Sequence, residues 1–286
     1  MAVRAVGALG APRVGVARGA LSNPLARLAL GALPILVVIV LYQGLAIERD
    51  RPRIFPEVGL VWEAISNIIR GEGQLGSAYA QIMFTSVRLL TAFAIAWVAG
   101  IFIGIAAGRN KLVFSFVENL VWIFMAVPSV VWVFLFAVGL GLSPGVPIGA
   151  VAILLTPTFI VLVGEGAKSV PADLVEMSRS YKVTTRDRLT GLFLPFLVPY
   201  ILAASRTGFA TAVKVMLIAE VIGQPNGIGF EVSYWYGKLF MGPILAWGIT
   251  MIVMGLLVDK LVFDRIERRV SQWKSKPLEA GIGAVA

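Results

Sequence analysis

The chain of 286 residues contains no cysteine and no histidine. Without thiols it can build neither a disulfide framework nor a thiolate metal site, and without imidazole it lacks the commonest metal ligand and general base. Charge is scarce as well: Asp, Glu, Lys and Arg make up 14% of the residues, against about 25% in an average soluble domain. Apolar side chains take their place, at 58% of the chain with a mean hydropathy of +0.86. This balance excludes most enzyme classes and places the chain among multispanning membrane proteins. The net charge is +9, but the cations are dispersed over both tails and several loops, so nucleic acid is not the partner they indicate.

Six apolar runs are long enough to cross about 30 Å of hydrocarbon at about 1.5 Å per helical residue. They lie near residues 25–47, 82–107, 116–140, 146–163, 191–222 and 244–263. The expected fold is therefore an all-α polytopic membrane protein with six transmembrane helices. Residues 1–24 are expected to form a flexible basic cytoplasmic tail, 25–270 one membrane domain and 271–286 a second cytoplasmic tail. With both termini cytoplasmic, only Arg49, Arg51, Arg53, Arg70 and Lys238 fall outside, and Arg88, Arg206 and Lys214 fall within spans. The remaining 17 of the 25 lysines and arginines are inside, as the positive-inside rule requires. Between the first two spans, Val58, Trp62, Ile65 and Ile69 recur at helical spacing and predict a helix along the outer surface.

One polar island interrupts the apolar sequence. Residues 169–188 carry Asp173, Glu176, Arg179, Lys182, Arg186, Asp187 and Arg188, which face water beside the membrane. Pro171 suits a first helical position and Asp173 the positively charged first turn. Leu174, Met177 and Tyr181 then make an apolar stripe, with Glu176 and Arg179 on another side. Thr184 with Asp187 three residues later predicts the cap of a second helix, which continues through Leu194 and Pro195 into a span. The unit reads as helix, turn, helix, membrane span.

The run from Leu174-Val175-Glu176-Met177-Ser178-Arg179-Ser180 to Leu194-Pro195-Phe196-Leu197-Val198-Pro199-Tyr200 resembles the cytoplasmic EAA loop of binding-protein-dependent ABC transporter permeases. Glu176, Leu194 and Pro195 match that family's pattern; Met177 and Ser178 replace its alanines, and Lys182 replaces its glycine. If the turn needs a left-handed residue, lysine there costs roughly 1 kcal/mol; otherwise the first helix runs longer. The resemblance implies that 169–188 is a coupling helix for a separate ATP-binding cassette ATPase, with Glu176, Arg179, Ser180, Lys182 and Pro195 as coupling residues. It further implies a second copy of the chain, an extracytoplasmic solute-binding protein, a lipid environment in the bacterial inner membrane, and no cofactor or enzymatic activity in the chain itself. ATP belongs to the partner.

Ala219-Glu220-Val221-Ile222-Gly223 with Gly227-Ile228-Gly229-Phe230 narrows the resemblance to the nitrate, sulfonate, taurine and bicarbonate subgroup. That implies import of a small anionic or zwitterionic solute by alternating access; the subgroup also contains importers of thiamine precursors. The competing class is an ion-gradient-driven secondary transporter, which calls for paired intramembrane acids where this chain shows Glu220 alone.

Several features admit a bland and a functional reading. Ala92, Ala96, Gly100, Gly104 and Gly108 recur every four residues, as do Ala204, Gly208 and Ala212; such ladders serve packing within the subunit or a dimer contact. Pro195 and Pro199 predict bends in the fifth span and Pro128 a break in the third. Gly164-Glu165-Gly166-Ala167-Lys168-Ser169 departs from a phosphate-binding loop because Ala167 precedes the lysine at the end of a span. Arg206 and Lys214, about 80° apart on one helix, and Glu220 further out are candidates for the translocation path; pairing with neighbouring helices is the alternative. Arg88 is expected to reach toward the outer interface.

Overall fold

A computed structural model describes residues 24–49, 51–73 and 76–271. Except for Pro24 and Ser271, the two expected tails, with Arg4, Arg13, Arg18, Lys274 and Lys276, lie outside the described residues. Contacts divide the chain into two compact units, with the boundary after Gly59.

The first unit is built on α1, Pro24–Arg49. Its apolar residues from Leu33 to Ile47 are mostly exposed, as suits a helix surrounded by hydrocarbon. The chain reverses after it through polar contacts. The Tyr42 hydroxyl donates to the Pro56 carbonyl at 2.9 Å, and Gln43 Oε1 accepts from the Val58 N–H at 2.8 Å.

The second unit begins with the rest of α2, Val58–Ile69, and a two-residue antiparallel pair, β1 (Glu72–Gly73) with β2 (Gly76–Ser77). Helix α2 forms where the helical spacing predicts it. Val61 and Ile68 are the buried residues, while Trp62 and Ile69 are more than 60% exposed. The helix has two apolar sides: Val61 and Ile68 pack on the core, and the stripe with Trp62 and Ile69 stays exposed, as in a helix that lies along a surface.

The long elements follow. Ala78–Arg109 forms α3, Lys111–Ala126 α4, Ser129–Leu140 α5 and Gly145–Lys168 α6. Asn110 separates α3 from α4 and caps the latter, its Oδ1 accepting from the Leu112 N–H at 2.9 Å. The expected third span is two helices that meet at 93° around Val127 and Pro128. Proline disfavours the helical region for the residue before it, and Val127 is accordingly extended. Among the described residues, five helices are long and apolar enough to cross a membrane, or six spans if the bent pair counts as one.

Burial makes α6 the central helix: 56% of its apolar window is buried, against 28% for α3. Both small-residue ladders pack toward it. A Cβ on Gly100 would lie 2.2 Å from Phe159 Cβ, and one on Gly104 3.0 Å from the Ile160 carbonyl. From the other side, a Cβ on Gly208 would lie 3.1 Å from the Phe159 ring. Phe159 is fully buried, wedged between the ladders and in edge contact with Phe93 at 5.7 Å. The ladders therefore serve close packing within the subunit. Gly164 and Gly166 belong to the same interface inside α6, where a Cβ on Gly166 would meet the Tyr200 ring at 2.7 Å; they form no phosphate-binding loop.

The polar island folds as α7, Ala172–Ser180, and α8, Thr185–Arg188. A π-helical turn at Leu189–Phe193 joins α8 to α9, Leu194–Gly223. The wider turn sits directly ahead of Pro195, where the ring would otherwise crowd the Gly191 carbonyl. Beyond α9 comes a helix that the span pattern did not anticipate, α10, Ile228–Gly237. Next come α11, Met241–Val258, a second π turn at Asp259–Phe263 and α12, Asp264–Ser271.

Candidate coupling surface and intramembrane charges

The helix-turn-helix at 172–188 is organised by its caps. Thr184 Oγ1 accepts from the Asp187 N–H at 3.2 Å and donates to Asp187 Oδ2 at 2.6 Å, which starts α8 as the spacing predicts. At the end of α7 the Lys182 N–H donates to the Arg179 carbonyl at 2.9 Å and the Val183 N–H to the Ser178 carbonyl at 3.0 Å. Those two bonds with Lys182 at φ 49° make a Schellman turn. Lysine therefore occupies the left-handed position that favours glycine, and the first helix does not run longer.

Glu176, Arg179, Ser180, Lys182 and Pro195 are all exposed. Met177 and Tyr181 are exposed too, at 52% and 78%, while Ser178 is the buried residue of α7. The apolar stripe thus points away from the chain's own core. Ser180 Oγ donates to the Glu176 carbonyl at 3.1 Å, and Arg188 Nη2 to the Val183 carbonyl at 3.2 Å. The Glu176 carboxylate and the Arg179 and Lys182 head groups make no ion pair among the described residues. The surface combines free charge of both signs with apolar side chains, as a docking face does.

The intramembrane charges separate into three environments. Glu220 is fully buried, and Arg88 is 5% exposed. Arg88 Nη1 donates to Glu220 Oε1 at 2.8 Å and to the Asn226 carbonyl at 2.9 Å, while Nη2 donates to Asn226 Oδ1. Thr85 Oγ1 donates to Glu220 Oε2 at 2.7 Å and accepts from the Ile228 N–H at 2.8 Å. The Gly229 N–H reaches Glu220 at 3.0 Å, and the Gly227 N–H reaches Gln81 Oε1 at 2.6 Å. Glu220 is thereby an anion held at the N-terminus of α10 as well as the partner of Arg88. Gly227 has φ 108°, and a Cβ there would lie 2.6 Å from the carboxylate oxygens.

Arg88 does not reach to the interface as expected; a buried carboxylate draws it inward, since an unpaired charge there is more costly. Nor is Glu220 an isolated acid. Sequence reading missed this node, although Gln81, Thr85 and Arg88 repeat at four- and three-residue spacing on an apolar helix, a polar stripe that signals a buried network.

Arg206 stands elsewhere. Its guanidinium donates to Asp259 at 2.8 Å, Asp264 at 3.0 Å and Glu267 at 2.9 Å. Its side chain is 44% exposed, so solvent screens these pairs. Lys214 is exposed and has no ion-pair partner among the described residues. The three candidate path residues are therefore not brought together: Arg206 and Lys214 lie on the outside of α9, and Glu220 turns inward. Among the described residues no group of three Asp and Glu side chains is arranged to hold a metal ion.

Residues 96–272 match the family model described as binding-protein-dependent transport system inner membrane component. The chain belongs to that family and is a permease subunit of an ABC importer, a multi-pass inner-membrane protein of a class without an ATPase site of its own. Such subunits work with an ATPase and a solute-binding protein. The chain is similar to the glycine betaine/proline betaine transport system permease protein ProW of Escherichia coli, with 28% identity over 80% of this chain and 67% of that one. It is also similar to the nitrate import permease protein NrtB of Synechocystis, with 25% identity over 64% of this chain and 66% of that one. In fold it is similar to an inward-facing structure of the MetNI methionine ABC transporter: the TM-score is 0.59 at 19% identity, over 67% of this chain and 95% of that chain.

Proposed function

We propose that two copies of this chain form the membrane pathway of an importer for a small zwitterionic or anionic solute of the nitrate, sulfonate and taurine kind, with α7 and α8 seated in a groove of the partner ATPase. The observation that carries the coupling role is the exposed face of α7, where Met177, Tyr181 and the unpaired Glu176 are held by a capped turn. Closure of the ATPase would then pass through the π turn into α9 and switch the pathway between outward and inward access. Both termini lie on the ATPase side in this reading.

Solute charge is supported by two lines. One similar permease is named for betaines, which are zwitterions, and another for nitrate. Lys214 offers an unneutralised cation on the outside of α9, and a passage needs only weak attraction because it must also release its cargo. An ion-gradient mechanism is disfavoured by Glu220, which is already paired with Arg88 and so is not available as a coupling acid.

Glu176→Ala tests the coupling role in a reconstituted complex. It should leave membrane insertion intact while lowering solute-stimulated ATP hydrolysis at least tenfold, the loss expected when a charge-assisted contact of about 1.5–3 kcal/mol is removed. Full coupling in this variant would remove Glu176 from the contact. Stimulation by glycine betaine, taurine or nitrate is expected; stimulation by a thiamine-precursor pyrimidine alone would overturn the assigned solute class.

A further inference from the structure

The cavity that stands apart from the features above lies at the other end of the second unit. It measures about 210 Å³ and is lined by Glu63 and Asn67 of α2, Glu72 of β1, Trp235 of α10, and Phe240 and Trp247 around the start of α11. Glu63 and Asn67 are four residues apart and share one face of α2. Both glutamates are exposed, and neither has an ion-pair partner among the described residues. Trp235 and Phe240 meet edge to face at 5.7 Å, and Trp247 is only 3% exposed, so the aromatic walls are held by the core.

Two unpaired carboxylates with indole and phenyl walls are the chemistry that receives an organic cation: the carboxylates attract it, and the ring faces stabilise it once water is displaced. The setting runs against the chain as a whole, whose net charge is +9.

Position then selects the occupant. At one end of α3 the Tyr79 hydroxyl donates to the Ile69 carbonyl, beside this cavity. At the other end the Arg109 guanidinium lies 4.2 Å from the Phe193 ring centre, beside the turn that follows α7 and α8. Tyr79 and Arg109 are 30 helical steps apart, about 45 Å at about 1.5 Å per residue. The cavity therefore lies at the end opposite the coupling surface, which is the extracytoplasmic side if the function proposed above holds. We infer that this acidic, aromatic cavity is a docking socket for a basic side chain, lysine or arginine, of the extracytoplasmic solute-binding protein. The proposal rests on that functional reading, and the family supplies the existence of such a partner.

The test measures binding of the transporter's own solute-binding protein to the reconstituted complex, using wild type, the double variant Glu63→Gln/Glu72→Gln, and Trp235→Leu. Basal ATP hydrolysis and complex assembly should be unchanged in all three. The double variant should weaken binding about tenfold at low salt, and the difference from wild type should shrink toward twofold in about 0.5 M salt. Trp235→Leu should weaken it about three- to fivefold, the range of a cation–π contact. Charge reversal, Glu63→Lys/Glu72→Lys, should weaken it further than the glutamine pair.

If wild type binds the partner and both the double variant and the reversal bind it with equal affinity and salt dependence, the socket is wrong while the importer reading stands. If choline at constant ionic strength occupies the cavity and partner affinity ignores every variant, the cavity takes a small cation and the docking assignment is overturned. A wild-type complex that binds no such partner overturns both.

Discussion

Arg88 and Glu220 are 132 residues apart in sequence and 2.8 Å apart in space. Neither charge tolerates burial alone, so each one's position depends on the other. Removing one partner of a buried ion pair leaves the second uncompensated, at about 3–5 kcal/mol, whereas removing both is far less damaging. Arg88→Met or Glu220→Gln alone should therefore destabilise the detergent-solubilised protein by that amount, read as a lower thermal midpoint. The double variant should recover more than half of the loss. Additive effects in this double-mutant cycle would show that the charges do not depend on each other. The pair also marks the boundary of what was legible in the residues themselves. Thr184 and Asp187 could be read as a cap because the bond spans three positions. Arg88 and Glu220 could each be noticed as costly, but periodicity carries no information about which helix faces which.

At the scale of elements, the turn between α7 and α8 departs from the usual chemistry of its position. Lys182 holds φ 49°, which a side chain with a Cβ adopts at a penalty of about 1 kcal/mol relative to glycine. Lys182→Gly should raise the local stability of the segment by about that amount, measured as slower amide exchange at Lys182 and Val183, whose N–H groups close the turn. Faster exchange would mean that the lysine side chain contributes more than its backbone strain removes. Elsewhere the same scale shows where local signals stop. Pro128 announced a break, but the 93° angle depends on how α4 and α5 each find α6. Gly227-Ile228-Gly229 reads locally as a flexible turn, yet its N–H groups start α10 because Gln81, Thr85 and Glu220 accept from them. Helix α2 was legible from its spacing, and Trp62 and Ile69, which that spacing singled out, are its exposed apolar side chains.

For the whole molecule, composition and run length were enough to establish a membrane-spanning helical fold, since lipid leaves few alternatives for satisfying backbone groups. Orientation rests on charge counts alone and can be tested directly in a chain without cysteine. Ser180→Cys on α7 and Tyr236→Cys on α10 replace exposed residues near opposite ends of the second unit. In intact cells, Tyr236→Cys should react with an impermeant maleimide and Ser180→Cys should not; permeabilisation should make both react. The reverse pattern would invert the topology and place the acidic cavity on the ATPase side.

The alternating access proposed above requires that something move, and Phe159 limits what can. The ring is clasped between the glycine ladders of two neighbouring helices, with Gly100 on one side and Gly208 on the other. Sliding α9 by one turn, about 5.4 Å, would bring Ala204 or Ala212 into the space that Gly208 leaves beside Phe159. Helices α6 and α9 are therefore geared against sliding where Phe159 meets Gly208. Under the coupling proposed above, the stroke from the ATPase would be taken up away from that contact, and the 93° elbow at Val127 and Pro128 lies outside it, between α4 and α5.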